Sequence, residues 1–349
     1  MNERQPTIQE WRDLYDAAIA FKRVACWEWM WDTDLFGVQD PKTGEIGYCC
    51  VMGKLGEHHA LAVYSWSRGL MSYCRFRDGA DSMGMADLIN SQICLMASFE
   101  NKSFLQPPDI ELIKACELSF KGSAAYPCFR SYRPGYFPWY INGEEALVLI
   151  HALRQAIEVG LRVKDNPKLL EPPREGQYLV RISSISDGKR EWTDAWFKPK
   201  PYVEKPVFGE PLDEKQVARV LKTVTRGKAV WEIEVTYSPA RIHEKNTTPY
   251  FPRLLLCRDQ ASGHILTAHA ASHESYAKEF PGKLLDCMEK FGVIPVTICT
   301  RKKETLDLLA EVAERLKIEA EITPFLPGIE EALREMEEYF ARSPGEKSR

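Results

Sequence analysis

The chain has 349 residues, of which 44% are apolar and 28% charged, with a formal net charge of −4. That length suits two domains or one large one, and the apolar fraction is enough for sizeable cores. The mild acidity argues against a dedicated nucleic-acid-binding or membrane-surface protein, whose footprint is usually basic, while leaving room for a local basic patch. The opening MNERQPTIQEW lacks the apolar core of a secretory signal. The longest apolar stretch, 146–153, is interrupted by His151 and falls far short of the roughly 20 residues of a membrane span. A cytoplasmic protein with no membrane association is expected. The ten cysteines are scattered and form no CxxC pair, so buried reduced thiols are expected rather than disulfides or a zinc site.

Along the first half, Trp11, Leu14, Tyr15, Ala18 and Phe21 give one apolar stripe and predict a helix over 7–24. Trp27, Trp29 and Trp31 have period two, which suits an extended entry with the rings in the core. LFGV and IGYCCVMG flank the turn 40–45 and predict a hairpin, with further strands at 60–66 and 92–99. The segment 77–84 is a Gly- and Asp-rich loop, and Asp109 is placed to cap a short helix after Pro107-Pro108. Residues 126–140, YPCFRSYRPGYFPWY, cannot be a regular helix because Pro134 and Pro138 remove donors. A helix then starts at Gly143-Glu144, with Leu147, Ile150, Leu153, Ile157 and Leu161 on one face. Two strands follow in QYLVRISS and WTDAWFKPKP, and 199–213, with four prolines, reads as a linker.

A connecting helix at 214–224 leads to the second half. WEIEVTY alternates strictly: Trp231, Ile233, Val235 and Tyr237 face one way, with Glu232, Glu234 and Thr236 on an expected solvated side. Strands at 252–259 and 264–272 follow, joined by a turn at 260–263. A helix over 275–291 ends at Gly292, and VIPVTICT (293–300) is a continuous apolar run expected as one central strand. A helix over 302–316, a strand at 318–322 and an amphipathic helix at 328–341 complete the order. The expected architecture is an α+β domain at 1–205, a linker and connecting helix at 206–225, an α/β domain with a mixed sheet at 226–340, and a disordered tail at 341–349.

Over about 228–325 the order of three antiparallel strands, helix, strand, helix, strand, helix resembles the ribonuclease-H-like fold of nucleases, integrases and transposases. WEIEVTY, LLLCRDQASGHILTA and PVTICTRKKETLDLLAEVAERL carry that resemblance. The whole chain also resembles an uncharacterised prokaryotic two-domain family without an assigned activity, through CWEWMWDTDLFGVQDPKTGEIGYCCVMG, FRSYRPGYFPW and PYFPRLLLCRDQASG.

Catalytic members of the ribonuclease-H-like class hold two divalent ions with acids, and the ions clamp the attacking and leaving oxygens of a phosphodiester. The resemblance implies one acid on the first strand, where Glu232 or Glu234 stands, and a second at the end of the fourth, where Cys299-Thr300-Arg301 stands instead. A third would come from a later helix, which offers Glu304, Asp307 and Glu311; Asp259 is a further acid to test. With the second position basic, a degenerate, non-catalytic binding or accessory protein is the leading expectation. A metal-dependent nuclease with relocated acids, and a nucleic-acid-binding protein using Arg130, Arg133 and the 301–303 corner, are the alternatives.

No metal site or cofactor is expected. His58-His59 lack a nominated third ligand, His269 and His273 straddle a strand end, and no GxSxG, GxGxxG or Walker motif is present. The candidate binding surface is Arg130, Tyr132, Arg133, Tyr136 and Trp139, where arginine among aromatics can stack on bases or hold carboxylates and phosphates. A protein or nucleic-acid partner is left open.

Overall fold

The structure is a computed structural model and describes residues 4–78, 85–244 and 247–342. Residues 79–84 of the Gly- and Asp-rich loop, and the tail from 343, lie outside the described residues. The chain is mixed α/β and divides into two compact units. One takes the described residues of 1–77, 92–134 and 138–202; the other takes those of 78–91, 135–137 and 203–349.

In chain order the first unit contains α1 (Ile8–Val24), β1 (Phe36–Gln39), β2 (Ile46–Met52), β3 (Ala60–Ser65) and α2 (Trp66–Asp78). The helix α3 (Met85–Asn90) belongs to the second unit. The first unit resumes with β4 (Cys94–Glu100), α4 (Pro107–Ala115), β5 (Tyr126–Tyr132), α5 (Gly143–Asp165), β6 (Tyr178–Ser186) and β7 (Lys189–Phe197). Its seven strands form one sheet in the order β5-β4-β3-β2-β1-β6-β7, antiparallel except where β1 meets β6.

Both faces of the middle strands are covered, so IGYCCVM reads as an unbroken apolar run. Cys49 and Val51 point to the core built by α1 and α5. Tyr48 and Cys50 point to a smaller core with Leu70 and Tyr73 of α2. α5 buries a broader face than the leucine stripe suggested. Ala146, Leu149, Ile150, Ala152, Leu153, Ala156, Val159 and Val163 are buried, while Leu161 is exposed.

The tryptophan entry is not extended. Ala25 adopts a left-handed conformation that ends α1, and Cys26–Glu28 form a 3-10 turn. Trp27 is buried, Trp29 Nε1 donates to the carbonyl of Gly160 at 2.8 Å, and Trp31 is half exposed beneath the Lys54 ammonium. All ten cysteines are reduced thiols and nine are buried. Burial pushes Cys94 and Cys128 up to about 12, which leaves them inert packing groups.

The second unit continues with α6 (Glu214–Thr223), β8 (Thr225–Arg226), β9 (Val230–Tyr237), β10 (Arg253–Asp259), β11 (Ile265–Ala271) and α7 (Tyr276–Phe291). It ends with β12 (Val293–Ile294), β13 (Thr297–Thr300), α8 (Lys303–Leu316), β14 (Glu319–Ile322) and α9 (Pro327–Arg342). The sheet order is β11-β10-β9-β13-β14; β9 to β11 are antiparallel, and β13 runs parallel to both β9 and β14. VIPVTICT is therefore two strands rather than one. Pro295 cannot donate to a ladder, so β12 pairs with β8 outside the sheet and β13 alone enters it.

α6, α7 and α8 cover the face carrying Trp231, Ile233, Val235 and Ile298. On the other face Leu326, just before α9, and Ile329 in its first turn pack on Leu256 and Cys299. Among the described residues no helix is long and apolar enough to cross a membrane.

α1 begins at a capping box in which Thr7 Oγ1 accepts from Glu10 N (3.2 Å) and Glu10 Oε2 accepts from Thr7 N (2.7 Å). Arg4 also donates to Glu10, and that bond holds the Glu10 carboxyl at about 2 against an ordinary 4.5. A depressed folded-state value means the cap's contribution is complete above about 4.5 and fades as pH falls towards 2. Urea denaturation across that window is expected to show Glu10→Gln with a flatter pH dependence than the parent. At neutral pH it should be about 0.5–1 kcal/mol less stable.

Candidate functional site

The alternation of β9 puts Glu232, Glu234 and Thr236 on the face opposite the main core, as the sequence implies. That face is not solvated. Glu232 is 3% exposed, Glu234 0% and Thr236 2%. Two carboxylates can be buried only if cations come with them, because desolvation of an unpaired charge costs several kcal/mol.

The cations arrive from neighbouring strands and the loop after β13. Arg258 on β10 donates to Glu232 at 2.8 Å. Arg301 Nε donates to Glu234 Oε2 at 3.2 Å, and Lys302 Nζ lies 2.7 Å from Glu234 Oε1, an ion pair whose angle departs from a hydrogen bond. Lys302 also donates to the carbonyl of Val235 at 2.9 Å and to Asp87 on α3. Asp87 in turn accepts from Tyr237 N at 3.1 Å. Arg301 reaches on to Glu330 of α9 at 3.0 Å.

The cluster therefore joins α3, β9, the β13–α8 loop and α9. Gly328 makes part of this geometry sterically feasible. A Cβ there would stand 2.2 Å from Arg258 Cζ, so a side chain at 328 would push that guanidinium aside. Arg253 completes the surround, 4.0 Å from Asp87, with its guanidinium over the rings of Tyr237 and Tyr276.

The other acids considered from the sequence stand elsewhere. Asp259 closes the β10–β11 turn, accepting from Ser262 N and Oγ at 2.8 Å each, and those bonds hold its carboxyl below the usual range. In register it faces Trp231, whereas Glu234 faces Leu256. Asp307 on α8 is held by Lys303 at 2.8 Å. Among the described residues, no group of three or more histidines, cysteines or carboxylates is placed to hold a metal ion. His59 stacks on Trp27, and His269 bonds Glu279 at 2.8 Å.

The aromatic and arginine segment is divided. Arg130, Tyr132, Arg133 and Trp139 lie in the first unit and Tyr136 in the second. Arg130 is gripped by both oxygens of Asp109 (2.9 and 2.6 Å) and lies over Tyr140, so its donors serve the fold. Tyr132 sits in β5, where burial pushes its phenol up to about 12. Arg133 pairs with Glu145 at 3.3 Å, and Trp139 exchanges backbone bonds with Ser131 at 2.8 and 3.0 Å. Tyr136 stacks on His273. Beside it, Gly135 has φ +78°, and a Cβ there would collide with that imidazole. Burial, with Arg253 nearby, keeps His273 below the ordinary imidazole range.

From sequence, Asp87 has no assigned element or role; it lies between the loop at 77–84 and the strand at 92–99. The basic run 301–303 was the available signal: cations at the end of one strand, in a domain whose first strand carries two glutamates.

Residues 11–181 match a family model described as a domain of unknown function (DUF7309), and 216–337 match one described as a domain of unknown function (DUF6930). Together they fit an uncharacterised two-domain family. No curated protein matches the chain. A solved structure with similarity is the cryoEM structure of the simian T-cell lymphotropic virus intasome in complex with PP2A regulatory subunit B56 gamma. It is 22% identical, with TM-score 0.24, over 35% of this chain and 44% of that one. This chain thus spans less than half the length of the chain it matches there.

Removing Lys302 takes one cation from two buried carboxylates at once. Lys302→Met is expected to destabilise the second unit by about 3–5 kcal/mol. Adding Asp87→Asn and Glu234→Gln should recover part of the loss, measured by chemical denaturation.

Proposed function

We propose that the chain is a non-catalytic binding or accessory protein. In this proposal residues 226–340 form a ribonuclease-H-like domain whose acidic site has become an internal ion-pair network, and residues 1–205 form a separate α+β domain. The strand order β11-β10-β9-β13-β14, antiparallel and then parallel, supports the fold assignment. The observation that carries the functional assignment is Glu234: it is fully buried on β9, the central strand of that order, with one oxygen facing Arg301 and the other Lys302.

Two-metal phosphodiester chemistry needs oxygen ligands turned towards a shared cation position. Here the donor set does not fit. Both oxygens of Glu234 are committed to protein cations, Glu232 is committed to Arg258, and the end of β13 brings positive rather than negative charge. The reduced thiols suit a reducing compartment, and we place the protein in the cytoplasm.

Calorimetric titration of the full chain with Mn²⁺ is expected to give no saturable two-site binding. Labelled DNA and RNA should stay intact in Mg²⁺ or Mn²⁺. Cleavage that disappears in Glu234→Gln would establish the nuclease alternative instead.

A further inference from the structure

The first unit carries an open surface cavity of about 500 Å³ away from the ion-pair network, at the C-terminal end of α1. Its size lies within the range of small-molecule sites, roughly 300–1,000 Å³. The walls are apolar: Ile19 of α1, Phe99 of β4, Phe120 and Pro127. Three polar groups converge on it, Lys22, Arg23 and Ser119.

The charge there is unbalanced. Lys22 donates to the carbonyl of Ala124 and lies 5.2 Å from the centroid of the Phe99 ring. Among the described residues no carboxylate pairs with Lys22 or with Arg23. Elsewhere the fold gives its part-buried arginines acids: Arg130 has Asp109, and Arg181 has Glu158 and Asp194. Burial pulls the Lys22 amine below its ordinary range, which is the cost of leaving a cation against apolar rings without an anion. An anion seated beside it would reverse that cost and add a charge-assisted bond.

We propose that this cavity binds a small organic carboxylate carrying an apolar tail, either one aromatic ring or a short acyl chain. The tail lies against Ile19, Phe99, Phe120 and Pro127. The carboxylate faces Lys22, with Arg23 and Ser119 at the rim. The site stands apart from the proposal for the second unit, so either can fail alone.

The test is calorimetry on the full chain with phenylacetate and hexanoate as probes, against phenylacetamide and acetate as controls. At least one of the two tailed carboxylates is expected to saturate, with both controls at least tenfold weaker. Lys22→Met should weaken that binding at least tenfold, and Ala125→Trp, which fills the cavity, should abolish it, each with the parent's unfolding midpoint. If Lys22→Met does not fold, Arg23→Met at an exposed position takes its place, with weakening of several-fold expected. Failure of both tailed carboxylates to bind, equal binding of amide and carboxylate, or undiminished binding by Ala125→Trp would each overturn the proposal.

Discussion

Glu234 on β9 has no exposed surface, and the second unit is arranged around giving its charge somewhere to go. A carboxylate sealed between a sheet and a covering helix is tolerable only with cations in contact, and Arg301 and Lys302 supply them from the loop that follows the parallel neighbour strand. Because Lys302 also holds Asp87, and Arg301 also holds Glu330, one buried charge fixes the positions of α3 and α9 as well as its own strand. Such a network adds little net stability, since its Coulombic gain is spent largely on desolvation.

The same covering explains why the acids of this domain act singly. α9 brings Leu326 and Ile329 onto the sheet face where Glu232 and Glu234 lie, and Gly328 lets it settle over Arg258. Each carboxylate is then matched by its nearest cation. A site built to hold divalent ions keeps several acids together without such partners; here every buried acid of that face has one.

The first unit solves a related problem in another way. Its sheet is covered on both faces, and its part-buried arginines sit in closed ion pairs. Arg181 is shared by Gln155, Glu158 and Asp194, and Arg130 by Asp109 and the Tyr140 ring. At the α1 cavity, by contrast, Lys22 has a carbonyl and a ring rather than an acid.

Local patterning in the sequence determined much of the framework. Apolar spacing set α1, proline and glycine set the hairpin of β1 and β2, and the strict alternation of WEIEVTY set which residues of β9 share a face, because period and turn chemistry are local properties. It did not determine whether the glutamate face meets water, since that depends on α9, roughly ninety residues later in the chain. It did not divide VIPVTICT, since the role of Pro295 depends on which strand lies alongside. It did not enlist Asp87, whose partners come from far along the chain. The 301–303 basic run was legible as charge, but only the tertiary structure decided that this charge turns inward. Ion pairing is a matter of which side chains are brought together out of water, and sequence order does not carry that information.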